Sequence, residues 1–72
     1  MTRIGEFLAK RAINRAAISR RTGISPARLS ELSNKDSARL TAEEVYLIAL
    51  AIEVKPGDLL DHICSGLALR DE

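Results

Sequence analysis

Apolar residues recur at helical spacing in five stretches, separated by short polar or Gly/Pro-bearing breaks, and no stretch alternates as a strand would. The first, Thr2 to Ala12, sets Ile4, Phe7 and Leu8 on one stripe. Asn14 has the character of an N-cap, because its side-chain oxygen can accept from a first-turn amide that lacks an intrahelical partner. A helix of about Arg15 to Thr22 follows with Ile18 inward, and Gly23 ends it by supplying a left-handed residue. Ser25 caps the third helix and Pro26 takes its first position, where a fixed φ suits the helix and a missing N–H costs nothing. That helix runs to about Ser33 and buries Leu29 and Leu32, and Asn34 to Arg39 reads as a polar loop. Thr41 and Glu44 make a capping box for a fourth helix. Lys55-Pro56-Gly57 breaks the chain once more, and Pro56 opens a short fifth helix with Leu59, Leu60 and Ile63.

Three of these starts carry a second device. Ile13 with Ile18, Ile24 with Leu29, and Leu40 with Val45 flank their caps at the positions of a hydrophobic staple, which fixes how the chain enters a helix. The expected fold class is therefore all-α, a compact bundle of four to five helices. Residues 1–63 form the domain, and 64–72 form a tail that is either an interface or a frayed end.

Composition narrows the chemistry. The chain has 72 residues, 46% of them hydrophobic, with Phe7 and Tyr46 the only aromatics, so its core is aliphatic. A chain of this size buries only about 60% of its unfolded surface and depends on well-specified local structure or on association. The single cysteine, Cys64, excludes an internal disulfide and a cysteine metal cluster, which fits a reducing compartment. His62 and Cys64 stand too close on a short helix to pair on a metal, and one histidine cannot furnish a nucleophile–base–orienter set. No metal, cofactor or enzymatic activity is expected. The longest apolar run, Val45 to Ile52, is far short of the roughly 20 residues that span a bilayer. With no signal-peptide pattern at the start, the expected location is cytoplasmic, away from membranes.

The net charge of +1 conceals a division. Residues 1–39 carry nine bases against three acids, and residues 40–72 carry two bases against seven acids. A +6 half beside a −5 half suggests one face for a polyanion and one that avoids it, against the plainer reading of a solvated surface segregated by chance.

The connection Thr22-Gly23-Ile24-Ser25 decides between these readings. A turn of about three residues containing glycine joins two helices at ~90–120°, the geometry of DNA-binding helix-turn-helix units. The run from Asn14 to Leu32 resembles the lambda-repressor/Cro-like helix-turn-helix family, the regulators of xenobiotic-response-element type. Its pattern there is apolar-small, then glycine-apolar-serine, then apolar-serine. The resemblance extends over about residues 3 to 62, including Ala49-Leu50-Ala51-Ile52 and the closing Lys55-Pro56-Gly57-Asp58-Leu59-Leu60.

Three places depart from the family. Arg15 stands where glutamine is common, and Glu53 where a glycine is usual after the fourth helix. Leu8 and Ser33 occupy the places of an Arg–Glu pair between the first and third helices, so an aliphatic contact is expected instead.

The resemblance implies a lambda-repressor-like domain whose helix-turn-helix is formed by helices two and three, with helix three in the major groove. The base-reading candidates are then Ser25, Pro26, Ala27, Arg28, Ser30 and Glu31. Arg28 leads, because a guanidinium can bond guanine O6 and N7 together. Glu31 can accept from a cytosine amino group or orient Arg28. Candidates for phosphate are Asn14 and Arg15 before helix two, and Asn34, Lys35 and Arg39 after helix three. Arg20 and Arg21 face solvent or flank the duplex.

The implied partner is double-stranded DNA, bound by a homodimer. The acidic second half, with Tyr46, Leu50 and the tail apolars, offers the surface for a second copy or another protein. With no room for an effector domain, the expected role is a transcriptional repressor acting by operator occlusion. The alternative is an antitoxin-like or adaptor module that keeps the fold to bind protein.

Overall fold

A computed structural model describes residues 1–11 and 13–71. Five helices follow in order, α1 (Arg3–Lys10), α2 (Arg15–Thr22), α3 (Pro26–Asn34), α4 (Ala42–Ala51) and α5 (Pro56–Ile63), with no strand among the described residues. The all-α expectation holds, and the fifth helix is present. Helix one was expected to reach Ala12, but it ends at Lys10 with Arg11 as C-cap, and Ala12 lies outside the described residues.

Each helix begins where its capping chemistry places it. Asn14 Oδ1 accepts from Ala16 N at 2.9 Å and Ala17 N at 3.3 Å. Ser25 Oγ accepts from Arg28 N at 3.1 Å, with Pro26 in the first turn. The Thr41–Glu44 capping box is closed in both directions, at 3.1 and 2.9 Å. Gly23 leaves α2 at φ 80°, the left-handed conformation that costs an L-residue about 1–2 kcal/mol. α5 starts on Pro56 without a side-chain cap.

The core is aliphatic and continuous. Ile4 and Leu8 of α1, Ile18 of α2, Leu29 and Leu32 of α3, and Ile48 and Leu59 of α4 and α5 meet in one cluster, with Ile24 and Val45 also buried. Ile13 and Leu40, the outer members of two staples, are half-buried against it. Burying side chains of this size contributes about 1.5–3 kcal/mol each. α1 packs on α3 and α5, α2 on α3 and α4, and α4 on α5.

The α1–α3 crossing is one of the places that depart from the family, and the aliphatic contact expected there is present. Leu8 shares the core with Leu29 and Leu32 of α3, and the end of the α3 backbone is also tied to the start of α1. Thr2 caps α1 with its hydroxyl and donates that same hydroxyl to Leu32 O at 2.6 Å, while Thr2 N donates to Ser33 O at 2.9 Å. The start of α1 thus satisfies carbonyls at the end of α3 that have no partner within the helix. The approach is so close that a Cβ built on Gly5 would lie 2.3 Å from Ser33 O. Ser33 itself is fully buried, with Oγ donating to Leu29 O at 2.8 Å.

Glu53 carries the other departure. It sits at φ 59° after α4, so this chain puts an ordinary residue in the left-handed turn. Beyond α5 the chain makes one further turn, Leu67 N to Cys64 O, and then runs exposed, with Leu67 and Leu69 almost bare.

Candidate nucleic-acid interface

The short turn Gly23-Ile24-Ser25 leads into α3, which packs on α1 and α2 with Leu29, Leu32 and Ser33 buried and leaves its opposite face exposed. Ser25, Pro26, Ala27 and Ser30 are exposed, and Arg28 and Glu31 are half-buried. Asn34, expected in the loop, instead closes α3. It therefore continues the stripe of Ala27, Ser30 and Glu31 at helical spacing, and its Nδ2 donates to Ser30 O at 2.9 Å. Lys35 is the exposed C-cap of α3, and Arg39 is exposed in the following loop.

Arg28 does not stand free. Its Nε donates to Glu44 Oε2 at 2.8 Å and its second terminal nitrogen to Glu44 Oε1 at 3.1 Å, a two-point ion pair between α3 and α4. It also donates to Arg39 O at 2.6 Å and to Glu31 Oε1. No Cα of α3 comes within 8 Å of one in α4 among the described residues, so this side chain bridges the gap. Hydrogen bonding to Glu44 and then to Glu31 raises the Arg28 pKa further above its usual value. The Arg28 hydrogen bond in turn holds the Glu44 carboxyl down at about 2, with the Thr41 cap adding to the effect and burial opposing it.

At the start of α2, Arg15 is half-buried and Asn14 exposed. The Asn14 oxygen already holds the Ala16 and Ala17 amides, so those two N–H groups are not open to a phosphate. Arg21, expected at solvent or beside the duplex, donates to Ala51 O at 2.8 Å and closes the C-terminus of α4, where a cation is favoured. Arg11 lies over the Phe7 ring at 4.3 Å. Among the described residues, Arg28 is the one base in a salt bridge.

Thr2, Gly5, Arg21 and Glu44 thus position the helix-turn-helix, though none of them belongs to the sequence-predicted site. Glu44 was legible as a cap but not as the partner of Arg28, because no periodicity links residues across a loop. No group of three or more potential metal-ligating side chains gathers among the described residues, and no helix there is long and apolar enough to cross a membrane.

A capped, stapled helix entered through a glycine turn, within a basic half of a small all-α bundle, defines a helix-turn-helix DNA-binding domain. Residues 3–65 match the Cro/C1-type HTH DNA-binding domain family, and the chain belongs to it. It is 36% identical over 59 residues to the uncharacterized HTH-type transcriptional regulator YozG of Bacillus subtilis (strain 168), covering 82% of this chain and 70% of that protein. No solved structure matches significantly.

Proposed function

We propose that this protein is a sequence-specific transcriptional regulator that binds double-stranded DNA as a homodimer and represses by occupying its operator. The observation that carries the reading is the distribution of uncompensated charge. The first 39 residues hold nine bases, and among the described residues only Arg28 is paired with a carboxylate. Arg15, Lys35 and Arg39 flank the reading helix and are the phosphate contacts, with the Asn14 and Asn34 amides beside them. Ser25, Pro26, Ala27, Ser30 and Glu31 lie toward the bases.

Occlusion follows from size. The chain, exposed tail included, extends 45 Å along its longest axis, against about 34–36 Å for one turn of duplex. Two copies on adjacent half-sites would cover the operator and compete with polymerase for an overlapping promoter. The apolar face of α4 and α5, where Tyr46, Leu50 and Leu60 are each about half exposed, is the surface for the second copy.

The test is an electrophoretic mobility assay over a salt series, on an operator obtained by selection from randomised duplexes. Lys35→Ala and Arg15→Ala are expected to weaken binding to all sequences alike and to lower the salt slope by about one each. In transcription from a promoter overlapping that operator, added protein should reduce transcript in proportion to occupancy. A chain that binds no duplex, or binds without salt dependence, refutes the proposal.

A further inference from the structure

We infer that Arg28 is a positioning residue that presents Glu31 to the exocyclic amino group of a cytosine, rather than a base reader itself. The inference rests on the DNA reading above and assigns specificity within it. A guanidinium has five N–H groups, and Arg28 has spent four of them: two on Glu44, one on Arg39 O and one on Glu31. Reading guanine through O6 and N7 takes two N–H groups together, and one is left. Swinging out to a base would also strip Glu44 and Glu31 of their common partner.

Glu31 has the complementary property. One of its carboxylate oxygens accepts from Arg28, and the other has no hydrogen-bond partner among the described residues. The side chain is 41% exposed, and it borders the surface depression formed with Ala27, Ser30, Asn34 and Lys35 on the outward face of α3. A bare carboxylate facing DNA would be repelled by the phosphates. Paired with Arg28 its charge is partly offset, although Glu44 shares the same cation, and its direction is fixed. In the major groove a fixed acceptor suits the cytosine N4 donor. The order of support runs from the Thr41 cap to Glu44, from Glu44 to Arg28, and from Arg28 to Glu31.

The test is the base-preference profile from randomised-duplex selection, for the wild type, Glu31→Ala, Arg28→Ala and Glu44→Gln, with the melting temperature of each recorded. Glutamine serves in a capping box, so Glu44→Gln removes the charge partner while keeping the helix start. The wild type is expected to prefer a C·G pair at one position by about 5- to 150-fold. Glu31→Ala should lose that preference alone, and Arg28→Ala and Glu44→Gln should lose most of it at the same position. A purely structural role would weaken all positions together. At that pair, 7-deazaguanine, which lacks the N7 acceptor, should bind as well as guanine. Weaker binding to 7-deazaguanine, or a sharpened preference in Glu44→Gln, overturns the inference in favour of Arg28 as reader. An unchanged profile in Glu31→Ala overturns it too. If Arg28→Ala does not fold, the other two variants decide. A wild type that enriches no sequence refutes the proposed function itself, a result distinct from all of these.

Discussion

Replacing Gly5 by alanine sets two rules against each other. Gly5 lies inside α1, where alanine is intrinsically better than glycine by about 0.8–1 kcal/mol. Propensity alone predicts a more stable protein. The structure predicts the opposite, because a Cβ there would lie 2.3 Å from Ser33 O and 2.8 Å from Met1 Cγ. The methionine can move, but the Ser33 carbonyl is α3 backbone. Restoring an ordinary contact separates the helices by about 1 Å, and overpacking of this kind costs about 1–3 kcal/mol. The same separation stretches Thr2 N to Ser33 O and Thr2 Oγ1 to Leu32 O, each contributing about 1 kcal/mol. The net loss is about 2–4 kcal/mol, a large part of the 4–11 kcal/mol expected of a 72-residue domain at about 0.05–0.15 kcal/mol per residue.

The assay is thermal unfolding followed by circular dichroism, with Gly57→Ala as the paired control. Gly57 lies in the first turn of α5 with nothing within 4 Å of its built Cβ, so alanine there should stabilise by up to about 1 kcal/mol. For a domain of this size each kcal/mol moves the melting temperature by about 4–8 °C. Gly5→Ala should therefore melt at least about 8 °C below the wild type, and Gly57→Ala at or slightly above it. A Gly5→Ala protein as stable as the wild type would refute the claim that α1 and α3 meet through backbone.

Three further outcomes follow from particular residues. Glu53→Gly relieves a left-handed residue at φ 59° and should raise stability by about 0.5–1 kcal/mol in urea unfolding, after allowing for the entropy of glycine. Gly23→Ala, with open space around its Cβ but φ 80°, should lower it by about 1–2 kcal/mol from backbone strain alone. Glu44 has a folded pKa of about 2 against about 4.5 when unfolded, so its contribution is fully present above pH 4.5 and is lost as pH falls toward 2. That shift sets a ceiling of about 3 kcal/mol, which solvent screening at this partly exposed pair reduces to about 1–2. Urea midpoints measured from pH 6 to pH 2 should converge for the wild type and Glu44→Gln at the acid end.

What was legible in the sequence was local. Asn14, Ser25, Thr41 and Glu44 announce helix starts because a cap and its amides lie within three residues of one another, and all four bonds are made. The staple residues and inward leucines likewise follow from periodicity, and they form the core. The candidate site was legible as a location, since the glycine turn and the capped α3 are both local features. The commitments of its side chains were not. Arg28 meets Glu44 across sixteen positions, and Arg21 meets Ala51 O across thirty, distances at which no pattern of spacing survives. Helical spacing offered Glu31 as a group that could orient Arg28, and that pair is made, but nothing in the spacing pointed to Glu44. Two carboxylates, one a turn away on α3 and one on α4, make Arg28 the most fully engaged base among the described residues.

α3 is fixed at three points by three different elements. Its entry is set by the α2 turn through Gly23 and Ile24, its first turn by Arg28 on Glu44 of α4, and its end by Thr2 and Gly5 of α1. A small domain with little stability to spare can hold a reading helix still this way, because each anchor restrains a different part of it. The arrangement has a consequence for any screen of variants that lose DNA binding. Changes at Thr2, Gly5 and Glu44 should be recovered beside changes at Lys35 or Arg15, although none of the three need touch the duplex. The salt series separates the groups. Removing a phosphate contact lowers the slope of log K against log salt, whereas loosening an anchor lowers affinity at every salt concentration and leaves the slope unchanged.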